Sequence, residues 1–274
     1  LDTMTQYVPT EYTGITMDSR SFVYVVTYYI ELNELYDTFF TAPTDVEDRS
    51  TVAPVKKFSL DGTDILIRSG IFPPVGDISI INRNAKQAKS AGFSQLTDIC
   101  VNEYDMYTVL DYNRGKVFTY DSDGNMLFVF GNTGVQDGTF GNPTAVDYYK
   151  DDMICVLDAR YNTVHIFRPT DYGTAILDAV KAYSVGDYTY SEQRWQDVLK
   201  MNSNMLLAYS GAGKSKLRAG LYREALADFK ICKDTFYYSS ALEGYLKDAV
   251  GNSFTYIFIT VVGLYIGFKT FKTI

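Results

Sequence analysis

Apolar and polar residues alternate in short runs through the first two thirds of the chain. In Lys116-Val-Phe-Thr-Tyr120 the alternation has a period of two; Asp121-Ser-Asp-Gly124 follows, then Met126-Leu-Phe-Val-Phe130. This pattern predicts a β-hairpin whose turn residues tolerate positive φ. The unit recurs without a gap at a spacing of 47 residues, Val109 to Tyr120 against Val156 to Phe167. A further strand is expected before each copy, at Leu96-Thr-Asp-Ile-Cys-Val101 and Thr144-Ala-Val-Asp147. Gly14-Ile-Thr-Met-Asp18, Tyr24-Val-Val-Thr27 and Val55 to Gly62 repeat the same order, interrupted by an insertion over Tyr28 to Arg49 that reads as a surface loop.

Beyond residue 170 the apolar spacing becomes helical. Ile176, Leu177, Val180 and Tyr183 form a stripe that Gly186-Asp187 ends. A second repeat follows, its spacing 34 residues: Gly186, Tyr188, Ser191, Trp195 and Val198 fall against Gly220, Tyr222, Ala225, Phe229 and Cys232. From Ala249 to Phe268 the chain is uncharged, and at about 1.5 Å per residue that stretch is about 30 Å of helix, enough to cross a hydrocarbon core. Tyr256 has the position of an interfacial anchor, and Lys269 and Lys272 place the C-terminus in the cytoplasm under the positive-inside rule. The expected order is therefore blades over 1–170, helical repeats over 171–248, a transmembrane helix over 249–268 and a cytoplasmic tail over 269–274, with everything before Ala249 outside the cell.

Two repeat families are similar to these segments. Asn142-Pro-Thr-Ala-Val-Asp147, Met153-Ile-Cys-Val-Leu-Asp158 and Asn162-Thr-Val-His-Ile-Phe167 resemble the NHL repeat, a β-propeller blade, over roughly residues 10 to 170. The first blade departs from the pattern, with Thr27 where Asp111 and Asp158 stand later. Gly213, Gly220-Leu-Tyr-Arg-Glu-Ala225 and Phe229 resemble the tetratricopeptide repeat. Three blades are fewer than a propeller needs to close, so further blades are expected upstream of Leu1 or on another chain. The architecture as a whole resembles membrane-anchored accessory proteins of Gram-positive bacteria in which Yip-type membrane helices can follow. The resemblance implies a non-catalytic binding or scaffold module that accompanies an ABC-type importer, a sugar importer included, with permease subunits as partners and a carbohydrate or protein as ligand.

Composition narrows the function classes. The 274 residues carry 33 acidic and 25 basic side chains, a net charge of −8, which argues against nucleic acid as a partner. Three cysteines, Cys100, Cys155 and Cys232, and a single His165 give no zinc pattern and no disulfide framework. No cofactor is expected.

The string Gly211-Ala-Gly-Lys-Ser215 evokes a phosphate-binding loop, but Ala208 occupies the place of its first glycine and a helix, not a strand, precedes it. Asp111 and Asp158 share a blade position, and propellers of the gluconolactonase type hold a divalent cation with such groups; the alternative reading is thus a propeller hydrolase or lactonase with a metal on its axis. Blade-stabilising hydrogen bonds are the expected role for both aspartates. Without a Ser or Cys motif beside it, His165 reads as structural or as a surface residue. The candidate partner- or ligand-binding residues are the aromatic pairs Tyr28-Tyr29, Tyr148-Tyr149 and Tyr237-Tyr238. Gly263 and Gly267 form a GxxxG through which another helix could approach.

Overall fold

Three strands in this protein begin with the same irregularity. In β1 (Tyr12–Met17) the register slips between Tyr12 and Gly14, in β6 (Leu96–Val101) between Leu96 and Asp98, and in β10 (Pro143–Tyr148) between Pro143 and Ala145. A bulge leaves a threonine unpaired at the same place each time, Thr13, Thr97 and Thr144, and bends the strand. Thr13 Oγ1 donates to Leu96 O at 2.8 Å, tying β1 to β6. The computed structural model in which this is seen describes residues 12–27, 30–31, 53–67, 80–81 and 94–271.

The chain divides into two compact units, Leu1–Gly173 and Thr174–Ile274. In the first unit, β1 pairs with β2 (Val23–Thr27), which pairs with β4 (Val55–Phe58). The second sheet runs β6, β7 (Tyr107–Asp111), β8 (Lys116–Tyr120), β9 (Met126–Phe130), and the third β10, β11 (Ile154–Asp158), β12 (Thr163–Phe167). All three are antiparallel meanders with neighbours in sequence order, as propeller blades are. A short parallel bridge joins β3 (Ile30–Glu31) and β5 (Ile80–Ile81). Apart from Ile30 and Glu31, the expected loop over 28–49 lies outside the described residues.

The sheets stack on two apolar layers. Tyr24, Val26 and Val55 of the first meet Ile99, Tyr107, Val109, Phe118 and Tyr120 of the second. Cys100, Leu110 and Val117, from the other face of the second, meet Val146, Ile154 and Val156 of the third, with Phe140 between. Gly14 permits the first stacking, because a Cβ there would lie 2.7 Å from Asp98 Cα. Asp98 then accepts Val146 N–H at 2.8 Å and joins the second sheet to the third.

The second unit is helical: α1 (Asp171–Ser184), α2 (Tyr188–Met201), α3 (Leu206–Arg218), α4 (Tyr222–Cys232) and α5 (Thr235–Phe271). Gly186 and Gly220 adopt left-handed φ of 87° and 78° in the turns that follow α1 and α3, the conformation open to a residue without Cβ. Asp187 caps α2 by accepting Tyr190 N–H. Glycines in one helix receive aromatics from a neighbouring one. Trp195 of α2 packs on Gly211, Phe229 of α4 on Gly213, and Tyr222 of α4 on Gly244 of α5.

The structure corrects the membrane assignment. Among the described residues no helix is long and apolar enough to cross a membrane. The stretch 249–268 is the distal part of the 37-residue α5, and Gly251, Asn252, Ser253, Thr255 and Thr260 lower its mean hydropathy. The expected single-pass topology, with an extracytoplasmic N-terminal region and a cytoplasmic tail, is therefore withdrawn. In that part of α5 Phe254, Ile259, Leu264 and Tyr265 are exposed, and a Cβ at Gly263 would meet nothing within 4 Å.

Candidate functional site

The repeated aspartates serve the fold. Asp111 closes β7 with a wholly buried carboxylate whose Oδ1 accepts the N–H groups of Gln95, Asn113 and Arg114 at 3.0–3.1 Å. Asp158 closes β11 in the same way, accepting from Gly141, Asn142 and Arg160 at 2.6–3.0 Å. Each carboxylate ties the turn after a second strand to the start of the first strand of its own sheet. Burial acts upward on both; for Asp158 the backbone donors outweigh it and hold the carboxyl below its ordinary range, whereas Asp111 is raised. Thr27 stands at the equivalent place without making that tie; its N–H donates to Pro54 O, beside β4, at 2.9 Å. Among the described residues no group of three or more His, Cys, Asp or Glu is placed to hold a metal ion. His165 lies edge-on to Phe140, with Nε2 4.0 Å from Asp158.

The phosphate-loop-like string is the middle of α3. Gly211 and Gly213 are sockets for Trp195 and Phe229, and the Ser215 hydroxyl lies 3.0 Å from Ser191 Oγ and 2.9 Å from Gly211 O, within hydrogen-bond distance of both. None of this forms a phosphate cradle.

The aromatic pairs have separate fates. Tyr28 and Tyr29 lie outside the described residues. Tyr148 reaches between two sheets, its hydroxyl 2.8 Å from Thr108 Oγ1, whereas Tyr149 is 49% exposed with Lys150 over its ring. Tyr238 packs against the Ala225–Phe229–Ala241 cluster. Tyr237 stacks on Phe229 and carries the Lys214 ammonium 4.7 Å above its ring centre. Of the GxxxG pair, Gly263 faces open space and the surroundings of Gly267 lie outside the described side chains.

Two polar constellations went unread in the sequence. In the first unit Asp18 lies 3.4 Å from Lys57 Nζ, and Arg20 pairs with Asp105. Lys57 also sits 4.8 Å over the rings of Phe22 and Tyr24. Burial pushes the Asp105 carboxyl up; Arg20 and Lys57 oppose the rise, and neighbouring Asp18 adds to it. These groups latch the first sheet to the second.

The other constellation is on one face of the helical unit. Arg218, exposed at the end of α3, places Nε 3.5 Å from the Tyr183 hydroxyl, and that hydrogen bond, with smaller electrostatic contributions from Tyr183, Tyr188 and Tyr237, pushes its pKa up. Tyr183 and Tyr188 have ring centres 5.4 Å apart. Lys214 lies one helical turn before Arg218, over Tyr237. Ser210, a further turn back, donates to Asp234 at 3.1 Å. The face thus presents two cations among three tyrosine rings, an arrangement suited to carboxylates and to apolar or aromatic side chains together. Only Tyr237 of this set was a candidate from sequence. The stripe Ser210–Lys214–Arg218 at i, i+4, i+8 was the available signal.

No family model matches the sequence, and no curated protein matches it. Among solved structures, a selenomethionine-substituted virginiamycin B lyase from Staphylococcus aureus is similar over 60% of this chain and 39% of its own, at 12% identity and TM-score 0.34. A protein of unknown function from Bacteroides caccae is similar over 60% and 62%, at 12% identity and TM-score 0.23. A catalytically inactive form of the Staphylococcus aureus lyase with quinupristin is similar over 59% and 71%, at 9% identity and TM-score 0.24. Likenesses this low carry no argument about activity, and the blade assignment rests on the sheets themselves. The expectation that the chain is not an enzyme is withdrawn, because a scaffold of stacked sheets does not by itself exclude catalysis.

Proposed function

We propose that this chain is a recognition module, built from NHL-type blades and tetratricopeptide-type hairpins, whose helical face binds an acidic segment of a protein partner. The observation that carries the reading is the grouping of Lys214 and Arg218 with Tyr183, Tyr188 and Tyr237 on one face of a protein whose net charge is −8. A chain so acidic repels acidic partners at long range, so cations gathered on one face determine where such a partner docks. The tyrosines supply rigid contact area that costs little conformational entropy. A subunit of an ABC-type importer, sugar importers included, is the partner class that the architectural resemblance implies.

The test uses a fluorescent peptide of alternating Glu and Leu, and a second in which Lys replaces Glu. The acidic peptide is expected to bind and to weaken as salt rises. Arg218→Glu combined with Lys214→Glu is expected to weaken it at least tenfold, on the order of 1.4 kcal/mol or more. Equal binding of the two peptides, or a double variant that binds like the parent, would remove the proposal.

A further inference from the structure

The first strands of the three sheets, β1, β6 and β10, lie side by side with β6 in the middle. Ile15 and Thr16 of β1, Ile99 and Cys100 of β6, and Val146 and Asp147 of β10 hold equivalent places in their registers. All six border one groove of about 450 Å³, closed on its far side by Leu157 and Val164 of the third sheet. That volume is typical of small-molecule sites. Its apolar walls are open to solvent, Ile15 being 72%, Leu157 43% and Val164 61% exposed. The charge in the lining is of one sign: among the described residues it comes from Asp98 and Asp147, and no Lys, Arg or His borders the groove. The repeat itself does not require these charges, since Gly14 and Ala145 stand where Asp98 does, and Thr16 and Cys100 where Asp147 does. Asp98 accepts Ile99 N–H at 2.9 Å and Val146 N–H at 2.8 Å, and Asp147 accepts Tyr148 N–H at 2.8 Å. Each carboxylate oxygen has two lone pairs, so both groups keep capacity for a further donor. Burial pushes the Asp98 carboxyl up and the charge of Asp147 adds to it; burial raises the Cys100 thiol, and Asp147 and Asp98 add to that too. A cation in the groove relieves all of this, because a nearby opposite charge favours the ionised form of every acid around it.

We propose that this groove binds a small organic amine, its ammonium held between Asp98 and Asp147 and its apolar body lying against Ile15, Leu157 and Val164. A metal ion is not the cation that fits, because among the described residues no group of three or more His, Cys, Asp or Glu is placed to hold one. An ammonium carries its own N–H donors to the two carboxylates, and such charge-assisted hydrogen bonds are the strong ones. The aliphatic walls on both sides then cover hydrocarbon that a metal ion does not have. A lysine side chain offers the same head group on a thin stem; a free amine with a wider body covers more of the walls and is the ligand class assigned. The site lies wholly within the first unit and is independent of the acidic-segment reading, whose residues are in the second.

The probes are phenethylamine, neutral phenylethanol, anionic phenylpropionate and acetyl-lysine methylamide, each titrated into the full chain with labelled methyl groups and followed by nuclear magnetic resonance. Phenethylamine is expected to bind about tenfold more tightly than phenylethanol, to shift the methyl signals of Ile15, Leu157 and Val164, and to outbind the lysine probe, with phenylpropionate weakest. Asp147→Asn is expected to weaken phenethylamine about tenfold and to leave phenylethanol unchanged. Asp147 is exposed and caps only the N–H that follows it, so circular dichroism of this variant is expected to match the parent. Lys214→Glu combined with Arg218→Glu, which removes the acidic-segment site, is expected to leave phenethylamine binding as it was. Equal affinity for the amine and the alcohol overturns the proposal, as do signal shifts elsewhere than at the three walls, an Asp147→Asn variant that binds like the parent, and a lack of binding by all four probes at millimolar concentration. Tighter binding of the lysine probe than of phenethylamine overturns it equally, since the groove would then read lysines on a protein.

Discussion

A carboxylate shared among three backbone N–H groups is hard to replace. Asp111→Ala or Asp158→Ala leaves three part-buried donors without their acceptor, and each is expected to cost about 1–3 kcal/mol in urea unfolding. Asp111→Asn keeps the one oxygen, Oδ1, that its three donors share and is expected to recover most of the loss, whereas Asp158 uses both of its oxygens and Asp158→Asn is expected to recover less. Titration at this scale has opposite signs at different sites. Asp98, Asp105 and Asp111 are raised above the ordinary 3.8, burial being the largest cause. Between 3.8 and their raised values the folded chain holds protons that the unfolded chain has released, so stability falls as pH rises through that window. Asp158 is lowered; its contribution is complete above 3.8 and is lost as pH falls through its folded value. The thermal midpoint of Asp105→Asn is expected to vary less with pH than that of the parent from about pH 4 upward. The positions of Asp111 and Asp158 were legible, because a 47-residue repeat aligns them and a buried aspartate at a strand end has few roles other than holding a turn. The Arg20–Asp105 pair was not, since 85 residues separate its members and no local pattern links them.

Among the elements, the hairpin of β8 and β9 was the easiest to read. Its period of two and its Asp-Ser-Asp-Gly turn state the same structure twice, and Gly124 takes φ 79° as such a turn requires. The bulges at Thr13, Thr97 and Thr144 left no such mark, because a bulge is a property of two strands and one strand's sequence does not announce it. α5 was read as two segments, the end of the helical repeats over 171–248 and a separate span over 249–268, because the uncharged stretch after Asp248 looks distinct; the backbone continues through it unbroken. In α3 the two glycines evoked a phosphate-binding loop that Ala208 and the preceding helix argued against, and they are the thin places in a helix packed between aromatics. Gly213→Ala puts a Cβ 2.7 Å from the Phe229 ring, and Gly211→Ala one 2.4 Å from Trp195. Alanine is the better helix former by about 1 kcal/mol. Crowding of about 1–3 kcal/mol is expected to outweigh that, so both variants should melt lower by circular dichroism.

For the molecule as a whole, the division at Gly173 separates a unit with long-range strand pairing from one with local helix contacts. Removal of residues 250–274 is expected to leave the helical core intact, since Ala241 and Gly244 are the last residues of α5 shown packing on α4. A thermal midpoint within about 2–4 °C of the parent, on the order of 0.5 kcal/mol, would agree with this. A larger drop would mean that distal α5 has a contact in the core. The glycine sockets also decide the order in which the helical unit comes apart. α3 is held on both flanks, by Trp195 on one side and Phe229 on the other, whereas α1 and α5 have helical neighbours on fewer sides in the stack. In a linear array the ends open first and the centre last. Amide hydrogens in the middle of α3 should therefore exchange with solvent deuterium only when the whole unit opens, and those at its outer helices well before, so the helical unit melts inward from its margins.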